Sequence, residues 1–179
     1  MAKKILLAVC FMAAVLCLEG RARADEHKYI GVSKCKMCHM SESKGNQYKH
    51  WAESKHAKAY ETLATDAAKK TAEKAGLKAD PQKSPECVKC HVTAFGVADN
   101  LKDESFNIAD GVQCEACHGA GSDYKGMTTM KDKQKAIEAG LVIPTKEACV
   151  KCHNSESPFY KEFNFDEFYK EIAHPLPKS

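Results

Sequence analysis

A five-residue word, Cys-x-x-Cys-His, is written four times in this chain, as Cys35-Lys36-Met37-Cys38-His39, Cys87-Val88-Lys89-Cys90-His91, Cys114-Glu115-Ala116-Cys117-His118 and Cys149-Val150-Lys151-Cys152-His153. Each copy holds two thiols able to add to the vinyl groups of a porphyrin and an adjacent imidazole able to bind its iron, the requirements for covalent haem c attachment. The four copies use eight of the ten cysteines and half of the eight histidines. Four haems are the expectation.

Two other chemistries use paired cysteines. A pair of tetrathiolate zinc sites would account for the thiols but not for a histidine directly after each second cysteine. A disulfide framework closing within each motif leaves the same four histidines unexplained. Both readings are weaker than haem.

The N-terminus carries export signals: Lys3-Lys4, an apolar run from Ile5 to Leu18, and the small-x-small site Ala22-Arg23-Ala24. The run is short for a membrane span. Residues 1–24 are read as a cleaved secretory signal and 25–179 as one tetrahaem domain beginning at Asp25. An uncleaved anchor, or lipidation at Cys10 or Cys17, is the weaker alternative. Cleavage removes both spare cysteines, so every remaining thiol lies in a motif.

Charge then reads differently. Of 27 basic and 24 acidic residues, the signal holds Lys3, Lys4, Arg21, Arg23 and Glu19, which leaves 23 of each sign. The overall excess of three positive charges is therefore no argument for nucleic acid. Every remaining cation is a lysine, which suits solvated surface and counter-charges to haem propionates better than bidentate phosphate binding. Large apolar residues are few between the motifs, so porphyrin is expected to supply most of the apolar mass and the apo-chain is expected not to fold.

Patterning predicts a helix over Gln47–Leu63, with Tyr48, Trp51, Tyr60 and Leu63 as buried positions. A second is predicted from Thr65 or Asp66 to Gly76, then breaks at Asp80-Pro81 and Ser84-Pro85. Phe95–Asp110 reads as loop with short extended pieces. Gly119 to Asp123 reads as a tight segment whose glycines let backbone approach a cofactor. Lys131–Ala139 reads as a helix stopped by Gly140. Pro144-Thr145 opens the turn into the fourth motif. Asp166–Ala173 reads as a last helix with Phe165, Phe168, Tyr169 and Ile172 inward, ended by Pro175 and Pro177.

The iron's second axial position decides what each haem can do. Outside the motifs the domain offers His27, His50, His56 and His174, and the thioethers of Met37, Met40, Met127 and Met130. His50 and His56 fall on different faces at helical spacing, so they do not serve one iron.

Longer words surround the motifs: Trp51 followed by Ser54-Lys55-His56-Ala57-Lys58-Ala59, Val92 with Phe95-Gly96 after the second motif, Gly111-Val112-Gln113 before the third and Gly119-Ala120-Gly121 after it, and Phe163-Asn164-Phe165-Asp166-Glu167 running to His174. In these the chain resembles the tetrahaem cytochrome c-554 family. The resemblance implies a mainly α fold with much irregular loop, a single multihaem cytochrome c domain built around four covalently bound haems, monomeric and periplasmic. It implies His56 as distal ligand to the third haem, His174 as distal ligand to the fourth, and an open second haem on His91. In the family a histidine shortly after the third motif serves the first haem. Tyr124 to Met130 contains none, so Met130 is the substitute, with Met127, His27 and His50 as alternatives.

The leading function is electron transfer between a redox donor and an acceptor, such as a hydroxylamine oxidoreductase-like enzyme, a periplasmic reductase or a quinol-linked cytochrome. Nucleic acid and stable membrane insertion are not expected. A nitrogen-oxide reductase acting at an open iron on His91 is a second reading, with no clear acid–base group to support it. A third is a subunit of a conductive extracellular assembly, with His27 donated between copies.

Overall fold

The computed structural model describes residues 27–176; the signal segment, Asp25, Cys10, Cys17 and Pro177 lie outside them. Ten short α-helices are joined by turns and 3-10 segments, and no strand forms among the described residues, only a parallel bridge between Tyr29 and Lys102. This is the mainly helical, loop-rich domain expected. No helix of the described residues is long and apolar enough to cross a membrane.

Helix α1 (Val32–His39) carries the first motif. Its first backbone N–H groups need partners, and its N-cap Gly31 has no side chain to give one. Two residues of the third motif's neighbourhood do so instead. The Glu115 carboxylate accepts from Ile30 N and Gly31 N, both at 2.8 Å, and from Gly121 N at 2.7 Å. Gln113 Oε1 accepts from Val32 N at 2.8 Å while its Nε2 donates to Asn107 O. First and third motifs are thus locked together by two buried side chains.

The predicted Gln47–Leu63 helix is divided. α2 (Gln47–Glu53) ends at Ser54, which turns extended, and both Ser54 N and Ser54 Oγ donate to Trp51 O; α3 (Ala59–Thr62) restarts after a turn. A serine bonding locally competes with helical propagation. The interruption frees His56 O to accept from Val112 N at 3.0 Å, and Trp51 Nε1 donates to Val112 O at 2.8 Å. Of the four predicted core positions Leu63 is buried, and it packs with Val88 and Val92 against Tyr60 and Cys87. Tyr48, Trp51 and Tyr60 are half-buried. The core is as meagre as composition implies.

Helix α4 (Asp66–Lys74) starts at its Thr65 cap, whose side chain accepts from Ala68 N. α5 (Pro85–His91) carries the second motif behind Ser84. Segment 95–110 is loop with 3-10 turns at Asp99–Leu101 and Ile108–Asp110. α6 (Cys114–His118) is the third motif itself.

The glycines that follow pack against protein: a Cβ on Gly119 would lie 2.9 Å from Gly140 O, and one on Gly121 3.0 Å from Ile30 Cδ1. Close backbone and side-chain packing by itself requires glycine at both positions. The predicted Lys131–Ala139 helix is preceded by a separate one. α7 (Met127–Met130) stops, and Asp132 caps α8 (Lys133–Glu138) by accepting from Gln134 N and Lys135 N.

α9 (Lys146–Val150) leads into the fourth motif, and α10 (Phe165–Ile172) starts at Asn164, which accepts from Asp166 N and Glu167 N. Phe165 and Ile172 are half-buried as expected, whereas Phe168 and Tyr169 are 43% and 42% exposed. Phe168 spends its inner edge on Phe163 (centroids 5.2 Å), and Tyr169 on Phe165 (5.2 Å).

Candidate functional site

In each motif the spacing of the two thiols and the imidazole, i, i+3 and i+4, sets them on one side of a helical turn. The fourth keeps this turn although α9 ends early, because His153 N donates to Cys149 O at 3.0 Å. Among the described residues, none of the eight motif cysteines forms a disulfide. Among the described residues no three His, Cys, Asp or Glu side chains converge as a metal cluster, so the thiols are not gathered as tetrathiolate zinc sites.

The imidazoles fit haem iron. His91 Nδ1 bonds Ala59 O at 2.7 Å, His118 Nδ1 bonds Val142 O at 3.1 Å, and His39 Nδ1 bonds Gln47 Oε1 at 3.1 Å. A carbonyl oxygen accepts only, so each Nδ1 carries the proton and each Nε2 keeps a lone pair for metal. Burial holds His118 and His153 below the ordinary imidazole range, which favours the neutral, ligating form.

Two of the motif histidines face a second imidazole. His56 and His153 have ring centroids 6.1 Å apart at 86°, and His118 and His174 are 5.9 Å apart at 42°. With metal–nitrogen bonds of about 2 Å, two imidazoles on opposite sides of one iron have centroids about 6 Å apart. Burial, and then the facing imidazole, lowers the pKa of both His56 and His174.

The partners are crossed relative to the expectation that His56 serves the third motif and His174 the fourth. The C-terminal tail is drawn toward the first motif, where Pro175 O accepts from Gln47 Nε2 at 2.9 Å; that sets His174 over His118. Phe163 stacks on His153 at 4.9 Å.

Among the described residues, no imidazole ring pairs with that of His91. His27 Nδ1 is bound to Asp123 Oδ2 at 2.8 Å, on the surface. His50 lines a depression with Glu42, Gly45, Asn46, Lys49, Glu53 and Pro175. Met130 is half-buried at the end of α7 and Met127 is 63% exposed. Around His39 lie Gln47, His118 and His174.

In space the motifs follow the order first, third, fourth, second. The Cys35 and Cys114 side chains lie close enough to influence each other. Cys117 lies near Cys149 and Cys152. Cys152 also lies beside Cys90. An ion pair between Lys89 and Glu156 braces the second motif against the segment following the fourth. Sequence reasoning missed Gln47, Gln113 and Glu115, whose partners lie 81 to 128 residues away in three of their bonds.

The family described as cytochrome c554 and c-prime matches residues 34–119. Cytochrome c-554 of Nitrosomonas europaea is 32% identical over 206 aligned residues, spanning 94% of this chain and 84% of the relative. The solved structure of the reduced state of cytochrome c554 from Nitrosomonas europaea aligns with a TM-score of 0.55 at 26% identity, covering 82% of this chain and 79% of that one.

Proposed function

The chain belongs to the cytochrome c-554 family, a family of c-type cytochromes in electron transfer, and on that premise we propose that it is a periplasmic tetrahaem carrier moving electrons between two redox proteins. Haem c supplies the reversible one-electron couple. The chain's own residues attach it, set its axial ligands and fix its spacing. The observation that carries the reading is the pair of facing imidazoles, His56 with His153 and His118 with His174, at the separation of trans ligands. A carrier needs saturated, rigid iron sites, and these two pairs would give them.

The order first, third, fourth, second sets each attachment segment beside a neighbour, as a relay requires. Met130 is the ligand assigned opposite His39. The donor and acceptor are of the classes expected from the sequence: a hydroxylamine oxidoreductase-like enzyme on one side, a periplasmic reductase or quinol-linked cytochrome on the other. Haem quantification with a spectroelectrochemical titration tests this. Four covalently bound haems, all reducible, are the expected result, and fewer than four defeats it.

A second reading rests on His91. Its Nδ1 is held by Ala59 O, and every other imidazole is engaged elsewhere or turned to the surface, so its iron would keep an open position for nitric oxide or another small nitrogen oxide. One high-spin iron per chain in the ferric protein, with binding of one ligand per chain, is the expected signature. An entirely low-spin spectrum overturns it.

A further inference from the structure

Gln47 stands between two of these sites. Its side chain is buried, 9% exposed, at the start of α2. Its Nε2 donates to two carbonyls, Lys44 O at 2.5 Å and Pro175 O at 2.9 Å. With both amide hydrogens committed, Oε1 is left to accept, and it takes the Nδ1–H of His39 at 3.1 Å. The backbone beside it is shaped for this contact. Gly45 has φ +94°, and a Cβ there would lie 2.6 Å from Pro175 O and 2.8 Å from Gln47 Nε2. No residue but glycine lets the tail approach so closely. The residue before Pro175 is His174, whose ring faces His118.

We propose that Gln47 is a positioning residue shared by two axial-ligand sets: it fixes the tautomer and orientation of His39, and through Pro175 it latches the tail that holds His174 opposite His118. The second arm rests on the reading that His174 ligates that iron. Hydrogen bonds made by the outer nitrogen of a ligating histidine raise its basicity and so favour the oxidised metal. One amide therefore sets the electron affinity of the first site and the coordination number of the third. The two sites are neighbours through Cys35 and Cys114, so their electronic properties are set together.

The test compares the holoprotein with Q47L, Q47E, G45A and H174A variants, by electron paramagnetic resonance of the ferric state and by redox titration. Q47L removes both arms: one further high-spin iron per chain is expected, and an upward shift of the first site's midpoint. Q47E strengthens acceptance from His39 but sets an acceptor against two carbonyls. The same high-spin iron is expected, with a downward midpoint shift. G45A obstructs the tail and crowds Gln47 Nε2 but leaves Oε1 in place, so high-spin iron is expected with a smaller first-site midpoint shift than in Q47L.

H174A separates the two claims. If it adds one high-spin iron while Q47L, Q47E and G45A add none, the latch is wrong and the ligation stands. If H174A leaves the spectrum unchanged, the ligation reading itself is wrong, and the latch to that iron fails with it. Midpoint shifts of one sign in Q47L and Q47E overturn the His39 arm. Should Q47L not mature, Q47E and G45A carry the same discrimination.

Discussion

The His56 and His153 imidazoles meet edge to face, 6.1 Å between centroids and 86° between planes, whereas His118 and His174 meet at 5.9 Å and 42°. The planes of two trans imidazoles split the iron d orbitals according to their mutual angle. The two sites are therefore expected to give distinct low-spin resonances. Replacing His56 by alanine should remove the near-perpendicular signal alone, and replacing His174 the oblique one alone. Loss of a resonance of another angle in either variant overturns this pairing.

Glu115 has a structural task inside the third motif. Three buried N–H groups, of Ile30, Gly31 and Gly121, end on its carboxylate. Burial pushes its pKa up while these donors pull it down. E115A strands all three donors, and each unmet buried group costs about 1–3 kcal/mol, less than additively. A loss of roughly 3 kcal/mol in holoprotein stability is expected, read by denaturant unfolding. E115Q retains one acceptor oxygen and should lose less.

Glu115, Gln113 and Gln47 also mark where legibility ends. The motifs, the Thr65-capped helix and the Asn164-capped helix could be read locally, because a capping residue and its donors lie within three positions of each other. The caps of α1 come from residues 81 to 85 positions away, and a glutamate between two haem cysteines gives no local sign of it. The break at Ser54 was hidden for a related reason. Residues 47–63 have acceptable helical composition, but His56 O is taken by Val112 N, a contact outside any sequence window. Ligand types could be read, since they are few. Their pairing could not, because it depends on where the tail docks.

Acid should open the paired sites. Desolvation lowers the pKa of the half-buried His56 and His118 and, although they are more exposed, of His153 and His174, so the fold favours their neutral forms relative to the ordinary value of about 6.5. The sign follows: ligation and its stabilisation are complete above that value and are lost as pH falls through the lower folded values. A spectral titration should stay low-spin at these sites from neutrality upward and convert on acidification. Conversion at neutral pH would contradict the burial.

Met130 is the proposed sulfur ligand opposite His39, from the half-buried end of α7. A thioether in place of a second imidazole raises a haem's potential. M130L should abolish a methionine–iron charge-transfer band in the ferric spectrum and leave the first iron high-spin. M127L, altering a residue already 63% exposed, should do neither. The reverse outcome moves the assignment to Met127, and no effect from either removes methionine from the site.

Gly111 offers the sharpest geometric test of the His56 assignment. Its φ of +68° with ψ of −136° suits glycine alone, and a Cβ there would lie 2.7 Å from His56 O and 3.1 Å from Ala57 O. The neighbouring Val112 N holds His56 O at 3.0 Å, so a methyl group at 111 must push aside the backbone that carries His56. Strain of this kind costs roughly 1–3 kcal/mol. G111A should therefore lower the unfolding midpoint and, without touching a ligand, reproduce the high-spin signal of H56A at the His153 iron. An alanine variant that loses stability while keeping both low-spin resonances would show that His56 is held by more than this contact, whereas loss of the near-perpendicular resonance alone would tie its placement to this one glycine.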